Sequence, residues 1–160
     1  MPAGSTYSTI ATTTLTTSQS SVTFNSFSGY TDLRLIMSIR NGVGGDYQIR
    51  PTVNSDGGGN YSTTVIRGNS SFRYTNNGFI VAGWCNNSQF TVTKLDFMNY
   101  ANTAINKTVI SRFDNMSDYV GTTVSLWRNT AAITSISIGI ENGQNMVSGS
   151  TFTLYGIAAA

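Results

Sequence analysis

A chain of 160 residues fits one domain of ordinary size and is long enough to fold without disulfides or metals. Ser, Thr, Asn and Gly supply 75 of those residues, and charged residues only 10% against about a quarter in ordinary globular proteins; this disfavours long helices, while the 39% of periodically placed hydrophobic residues argues against disorder. The net charge of +2 comes from scattered side chains, so no basic stripe exists to track a phosphate backbone, and nucleic acid is not an expected partner.

Residues 1–8 read as an N-terminal arm outside a single domain spanning 9–160. Met1 to Thr6 has neither the basic region nor the apolar core of a secretory signal, and no apolar run is long enough for a transmembrane helix, so a cytoplasmic product with no membrane partner is expected. Alternation with period two recurs along the chain and, together with the apolar run Phe79–Trp84, marks candidate strands over Thr9–Leu15, Ser21–Phe24, Asp32–Arg40, Tyr47–Val53 and Tyr61–Arg67. It continues through Phe90–Thr93, Lys107–Phe113, Thr122–Trp127, Ile133–Ile140 and Ser150–Ile157. The clearest case is Asp32–Arg40, where Leu33, Leu35, Met37 and Ile39 share one face while Asp32, Arg34, Ser38 and Arg40 share the other. Turn signals at Asn41-Gly42, Asp56-Gly57-Gly58-Gly59-Asn60, Asn76-Asn77-Gly78, Asn86-Asn87-Ser88 and Glu141-Asn142-Gly143 punctuate these runs. Pro51 has no backbone donor, so Tyr47–Val53 is expected at an edge or with a bulge. Many short strands at regular spacing predict an all-β sandwich or barrel; a single antiparallel β-sandwich of jelly-roll-like form is the favoured choice, which the pattern does not separate from other Greek-key arrangements.

The chain has no histidine, which removes the commonest general base, nucleophile partner and metal ligand together. Gly42-Val43-Gly44-Gly45 lacks the Lys-Ser/Thr and the strand-to-helix setting of a phosphate loop. Asp114 with Asp118, or Asn54 with Asp56 and Asn60, offers loop oxygens for calcium, but neither set has the ligand spacing of an EF-hand, and ordinary turn residues are the simpler reading. No cofactor or metal is expected. Five Asn-x-Ser/Thr sequons begin at Asn60, Asn69, Asn86, Asn106 and Asn115; about four are expected by chance in so Asn-, Ser- and Thr-rich a chain, so they carry no signal. Cys85 sits in an apolar run and reads as a buried structural thiol. Trp84, Trp127, Tyr47 and Tyr61 are the candidates for interface or glycan contact, the two tryptophans lying in strand-like apolar runs that favour core or subunit contact.

Several segments resemble a family of small tailed-phage virion proteins of the cyanophage type. They are Tyr7–Leu15, Ser21–Phe24, Gly29–Leu35, Asn60–Thr64, Met98–Asn102, Lys107–Arg112, Leu126–Ile133 and the closing Gly149–Ile157; Ala158 stands where such proteins often carry a basic residue. The resemblance implies a non-enzymatic structural role on the virion, as decoration, cement or tail-fibre protein. One domain suits a capsid cement protein better than a long fibre, which needs an anchor as well as a tip. By analogy with phage decoration proteins a homo-oligomer is expected, a trimer in particular, in contact with other virion proteins. The alternative is a tail-associated module that recognises host surface glycans; a hydrolase built from the seven acids is the third reading.

Overall fold

In the computed structural model, residues 6–68, 70–115 and 119–158 are described. The strands are β1 (Tyr7–Thr14), β2 (Ser21–Asn25), β3 (Asp32–Ile39), β4 (Tyr47–Val53), β5 (Tyr61–Arg67) and β6 (Ser70–Asn77). They continue with β7 (Gly83–Cys85), β8 (Thr91–Met98), β9 (Lys107–Asn115), β10 (Tyr119–Trp127), β11 (Ser135–Ile140) and β12 (Thr151–Ile157). A single turn of 3-10 helix, Glu141–Gly143, follows β11.

Every pairing is antiparallel, and eight of the strands nest as one long hairpin: β1 with β12, β2 with β11, β3 with β8, and β4 with β7. Rolled up, that hairpin gives the orders β1-β12-β3-β8 in one sheet and β2-β11-β4-β7 in the other. This is the path of a jelly roll, the arrangement favoured from the strand and turn pattern. Two hairpins are inserted into it, β5–β6 between β4 and β7 and β9–β10 between β8 and β11. Both extend the larger sheet at the same end, in the order β8-β9-β10-β5-β6.

The core fills the space between the sheets. Leu33, Leu35, Met37 and Ile39 of β3, Leu95 and Phe97 of β8, and Phe152 and Leu154 of β12 face Val22, Phe24, Ile49, Val53, Ile136 and Ile138 of the smaller sheet. Each such side chain, moved fully out of water, contributes about 1.5–3 kcal/mol. A second, smaller core lies under the inserted hairpins, built from Val65, Val81, Trp84 and Phe113 with Phe72, Phe79, Tyr74 and Tyr119 around it.

Three local expectations change. The 1–8 arm is interrupted at its end, because Tyr7 and Ser8 already pair with Ile157 and Gly156 in β1; residues 1–5 lie outside the described residues. Pro51 is in neither an edge strand nor a bulge, since β4 lies between β11 and β7. Its missing donor faces the stretch 80–82, beyond the three-residue ladder of β7, where the strand is met only by the Ile80 and Ala82 N–H groups donating to the Pro51 and Ile49 carbonyls. The run Phe79–Trp84 is accordingly mostly irregular: only Gly83–Cys85 forms a strand, and the apolar stretch before it is buried between the small core and the sheet.

Candidate functional site

The acidic side chains among the described residues are committed to holding loops and strands. Asp56 accepts hydrogen bonds from the Trp127 indole N–H (2.7 Å) and the Asn60 amide (2.9 Å) at one oxygen, and from the Gly58 N–H (2.9 Å) at the other. The Trp127 bond, with those of Asn60 and Gly58, holds the Asp56 carboxyl below its ordinary range against the opposing effect of burial. Asn54 turns elsewhere, accepting from the Thr134 and Ser135 N–H groups and donating to the Ala132 carbonyl. The Asn54 and Asp56 oxygens therefore brace two separate loops, with the Asn60 amide as one of the donors to Asp56.

Asp96 takes ion pairs from Arg34 (2.5 Å) and Lys94 (3.1 Å); burial raises its pKa, and these two cations outweigh it. Glu141 pairs with Arg50 (2.5 Å) and accepts the Gln48 N–H. Asp46 accepts from the Asn115 amide, Asp32 from the Asn99 N–H, and Asp114 from the Val92 N–H. Asp118 lies outside the described residues, and with it the Asp114–Asp118 pair. Among the described residues no three His, Cys, Asp or Glu side chains gather as metal ligands would.

The four aromatic candidates are dispersed. Tyr61 and Trp127 stack inside the main core, ring centroids 6.4 Å apart, and present no surface to a sugar or a neighbour. The Tyr61 hydroxyl closes on the backbone of Val53, accepting from its N–H and donating to its carbonyl, and burial pushes the phenol up to about 12. Trp84 is buried in the smaller core, where the Arg67 guanidinium lies 4.3 Å from its ring centroid and also faces Tyr119 and Phe72. Tyr47 is half-buried against the main core. A different aromatic pair reaches the surface: the exposed Tyr7 of β1 stacks on the half-buried Tyr155 of β12 at 4.8 Å, with Arg34 over the Tyr7 ring.

What sequence reading misses is the outer face of the inserted hairpins. On β10 the ordinary polarity is inverted: Thr123 and Ser125 point inward and are buried, while Val120, Val124 and Leu126 point outward, Val120 being 73% exposed. The inward hydroxyls form a layer. Ser111 donates to the Ala82 carbonyl (2.6 Å) and bonds Thr123 (2.9 Å), and Thr63 bonds Ser125 (2.7 Å). That layer supplies hydrogen-bond partners to the irregular backbone around Val81 and Ala82 where it crosses the sheet. The outward apolar residues continue into Ile66 of β5 and Ile110 of β9 through the register, Ile66 opposite Thr122 and Ile110 opposite Val124. A shallow depression of about 530 Å³ opens among Ile66, Arg112, Val120 and Thr122. The signal for this surface lay in the sequence as Val120-x-x-x-Val124-x-Leu126, but alternation alone does not say which phase faces the core.

The chain matches no family model and no curated protein.

Proposed function

We propose that the protein is a non-enzymatic structural component of a tailed-phage particle, a capsid decoration or cement protein that binds neighbouring virion subunits through an open sheet face. The observation that carries this reading is the inside-out β10, with Val120, Val124 and Leu126 turned to solvent on a rigid, regular sheet. Exposed large apolar side chains gathered on one sheet face support a protein interaction surface. The segments that resemble tailed-phage virion proteins supply the setting. The commitment of the described acids to ion pairs and loop bonds argues against the hydrolase reading. Quantitative mass spectrometry of purified virions tests it: copies in the hundreds, with a capsid that loosens in particles lacking the protein, support capsid decoration, and a handful of copies at the tail overturns it.

The Tyr7–Tyr155 stack favours the second reading, a tail-associated glycan-binding module, because an exposed Tyr7 ring backed by a second aromatic offers a platform for a sugar ring. On that reading the purified protein blocks phage adsorption to host cells and Tyr7→Ala abolishes the block. Unimpeded adsorption at saturating protein removes it.

A further inference from the structure

The outer face of the larger sheet has two halves of different chemistry. On β1, β12, β3 and β8 most outward side chains engage one another, through the Tyr7–Tyr155 stack, Arg34 over Tyr7, and the Arg34–Asp96–Lys94 ion pairs, with Val92 and Met98 exposed at the two ends of β8. On β9, β10 and β5 the central side chains are Ile110, Val124, Leu126, Val120 and Ile66, separated by small hydroxyl residues such as Thr64 and Thr122. This bare half belongs entirely to the inserted hairpins, which the eight-stranded roll does not need in order to close.

Among the described residues, the side-chain charges left without a partner at the border of the bare half are positive, while Asp114, directly opposite Val120 on the same face, is held by the Val92 N–H. Arg112 sits directly opposite Lys94 across β9 and β8, a like-charge pair that costs stability unless something answers it. Arg73, opposite Thr64 on β6, flanks the other side. Lys94 has Asp96, whereas the Arg112 and Arg73 side chains make no hydrogen bond, ion pair or ring contact with any described residue. The acids of the same face are already taken: Asp96 by Arg34 and Lys94, Asp114 by the Val92 N–H, Asp32 by the Asn99 N–H.

We propose that this face docks an acidic protein surface, one protruding apolar side chain seating in the depression between Ile66 and Val120 and carboxylates pairing with Arg112 and Arg73. The proposal rests on the assembly-protein reading above and names the chemistry of the partner. A second copy of this chain is a poor occupant, because it brings the same free arginines and the acids among its described residues are already bonded. Nucleic acid fits no better, since the centre of the patch is aliphatic and offers no exposed ring for a base to stack on.

The test is a methyl-resolved NMR titration of the full chain with two synthetic peptides, identical in their apolar residues, one rich in Glu and the other with each Glu replaced by Lys. The acidic peptide shifts the methyls of Ile66, Ile110, Val120, Val124 and Leu126, weakens as salt is raised, and loses about tenfold in affinity, or about 1.4 kcal/mol, with Arg112→Glu. Both Arg112 and Val120 are exposed, so Arg112→Glu and a second variant, Val120→Asp, leave the core intact, which a thermal melt checks. Equal shifts with the basic peptide, or none with either, overturn the proposal. So does a wild-type dimer that Val120→Asp dissolves, or a duplex DNA that moves the same methyls. Failure here is separable from failure of the virion reading: acidic-peptide binding by a protein scarce on capsids keeps the face and removes the role, and an abundant capsid protein indifferent to peptide charge does the reverse.

Discussion

The indole nitrogen of Trp127, at the end of β10, donates a 2.7 Å hydrogen bond to the Asp56 carboxylate in the turn between β4 and β5. It ties an inserted hairpin to the roll, and its donor is on a fully buried ring. Replacing Asp56 with Ala strands that N–H and is expected to cost about 1–3 kcal/mol in urea unfolding at neutral pH. The pH dependence has a definite sign. The folded-state pKa of Asp56 is depressed, so its contribution is fully present above the ordinary carboxylate range and is lost as pH falls through the folded value. The gap between wild type and Asp56→Ala therefore narrows in acid; a gap that stays constant down to complete protonation contradicts this.

The Phe113 ring packs against two glycines. A Cβ built on Gly121, directly across the β9–β10 ladder, meets the ring head-on and lies 2.9 Å from the Ile66 carbonyl oxygen. One built on Gly83 falls 2.6 Å from the same ring. Gly121→Ala is expected to destabilise by about 1–3 kcal/mol, the usual scale for overpacking. Phe113→Leu in the same chain recovers part of that loss, because it withdraws the ring from the new methyl group. A double-mutant cycle by thermal melting measures the recovery, and strict additivity argues against the contact as the cause.

The legible part of the fold is the part in which one face is apolar and the other polar. In β3, Leu33, Leu35, Met37 and Ile39 are buried, with Asp32, Arg34 and Ser38 opposite, and the period of two placed them correctly. β6 escaped because its stretch Ser70–Asn77 is an exposed, mostly polar edge strand with only Phe72 and Tyr74 facing inward, and its Asn76-Asn77 end resembles a turn. Residues 79–82 looked like a strand because they are continuously apolar, yet that continuity reflects burial of an irregular segment. For Trp84 and Trp127 the apolar runs leave core and subunit contact both open, and nothing local to Trp127 announces Asp56, 71 residues away. The docking face was hidden for a similar reason, since reading β10 requires knowing that hydroxyls are needed inside to meet the backbone at Val81 and Ala82.

Burial pushes the Cys85 thiol and the Tyr61 phenol each up to about 12. Their unfolded values lie at about 8.5 and 10. Between those values and the folded ones the unfolded chain has released protons that the native state retains, so stability falls as pH rises through that window. Chemical denaturation from pH 8 to 11 is expected to show this decline, and Cys85→Ala removes its lower-pH part. The same burial makes alkylation of Cys85 by iodoacetamide at pH 8 follow unfolding of the protein. Rapid labelling of the native state runs against a thiol held in the core.

The inverted strand yields the sharpest contrast between pattern and structure. By hydrophobic pattern alone, Val124 looks structural and Thr123 dispensable; in the fold, Val124 is 48% exposed and Thr123 is buried. Because Ser111 spends its single proton on the Ala82 carbonyl, Thr123 is the donor in the bond between the two hydroxyls. Thr123→Val preserves shape and adds hydrophobicity, yet it removes that bond and leaves a Ser111 lone pair unanswered, an expected loss of about 1 kcal/mol. Ser111→Ala goes further, leaving the buried Ala82 carbonyl without its donor, at about 1–3 kcal/mol. Val124→Thr, on the outer face, is expected to stay within about 0.5 kcal/mol of wild type. Urea unfolding of the three single variants ranks them. A ranking in which Val124→Thr costs most would mean that β10 faces the other way and that the apolar row belongs to the core instead of to a partner.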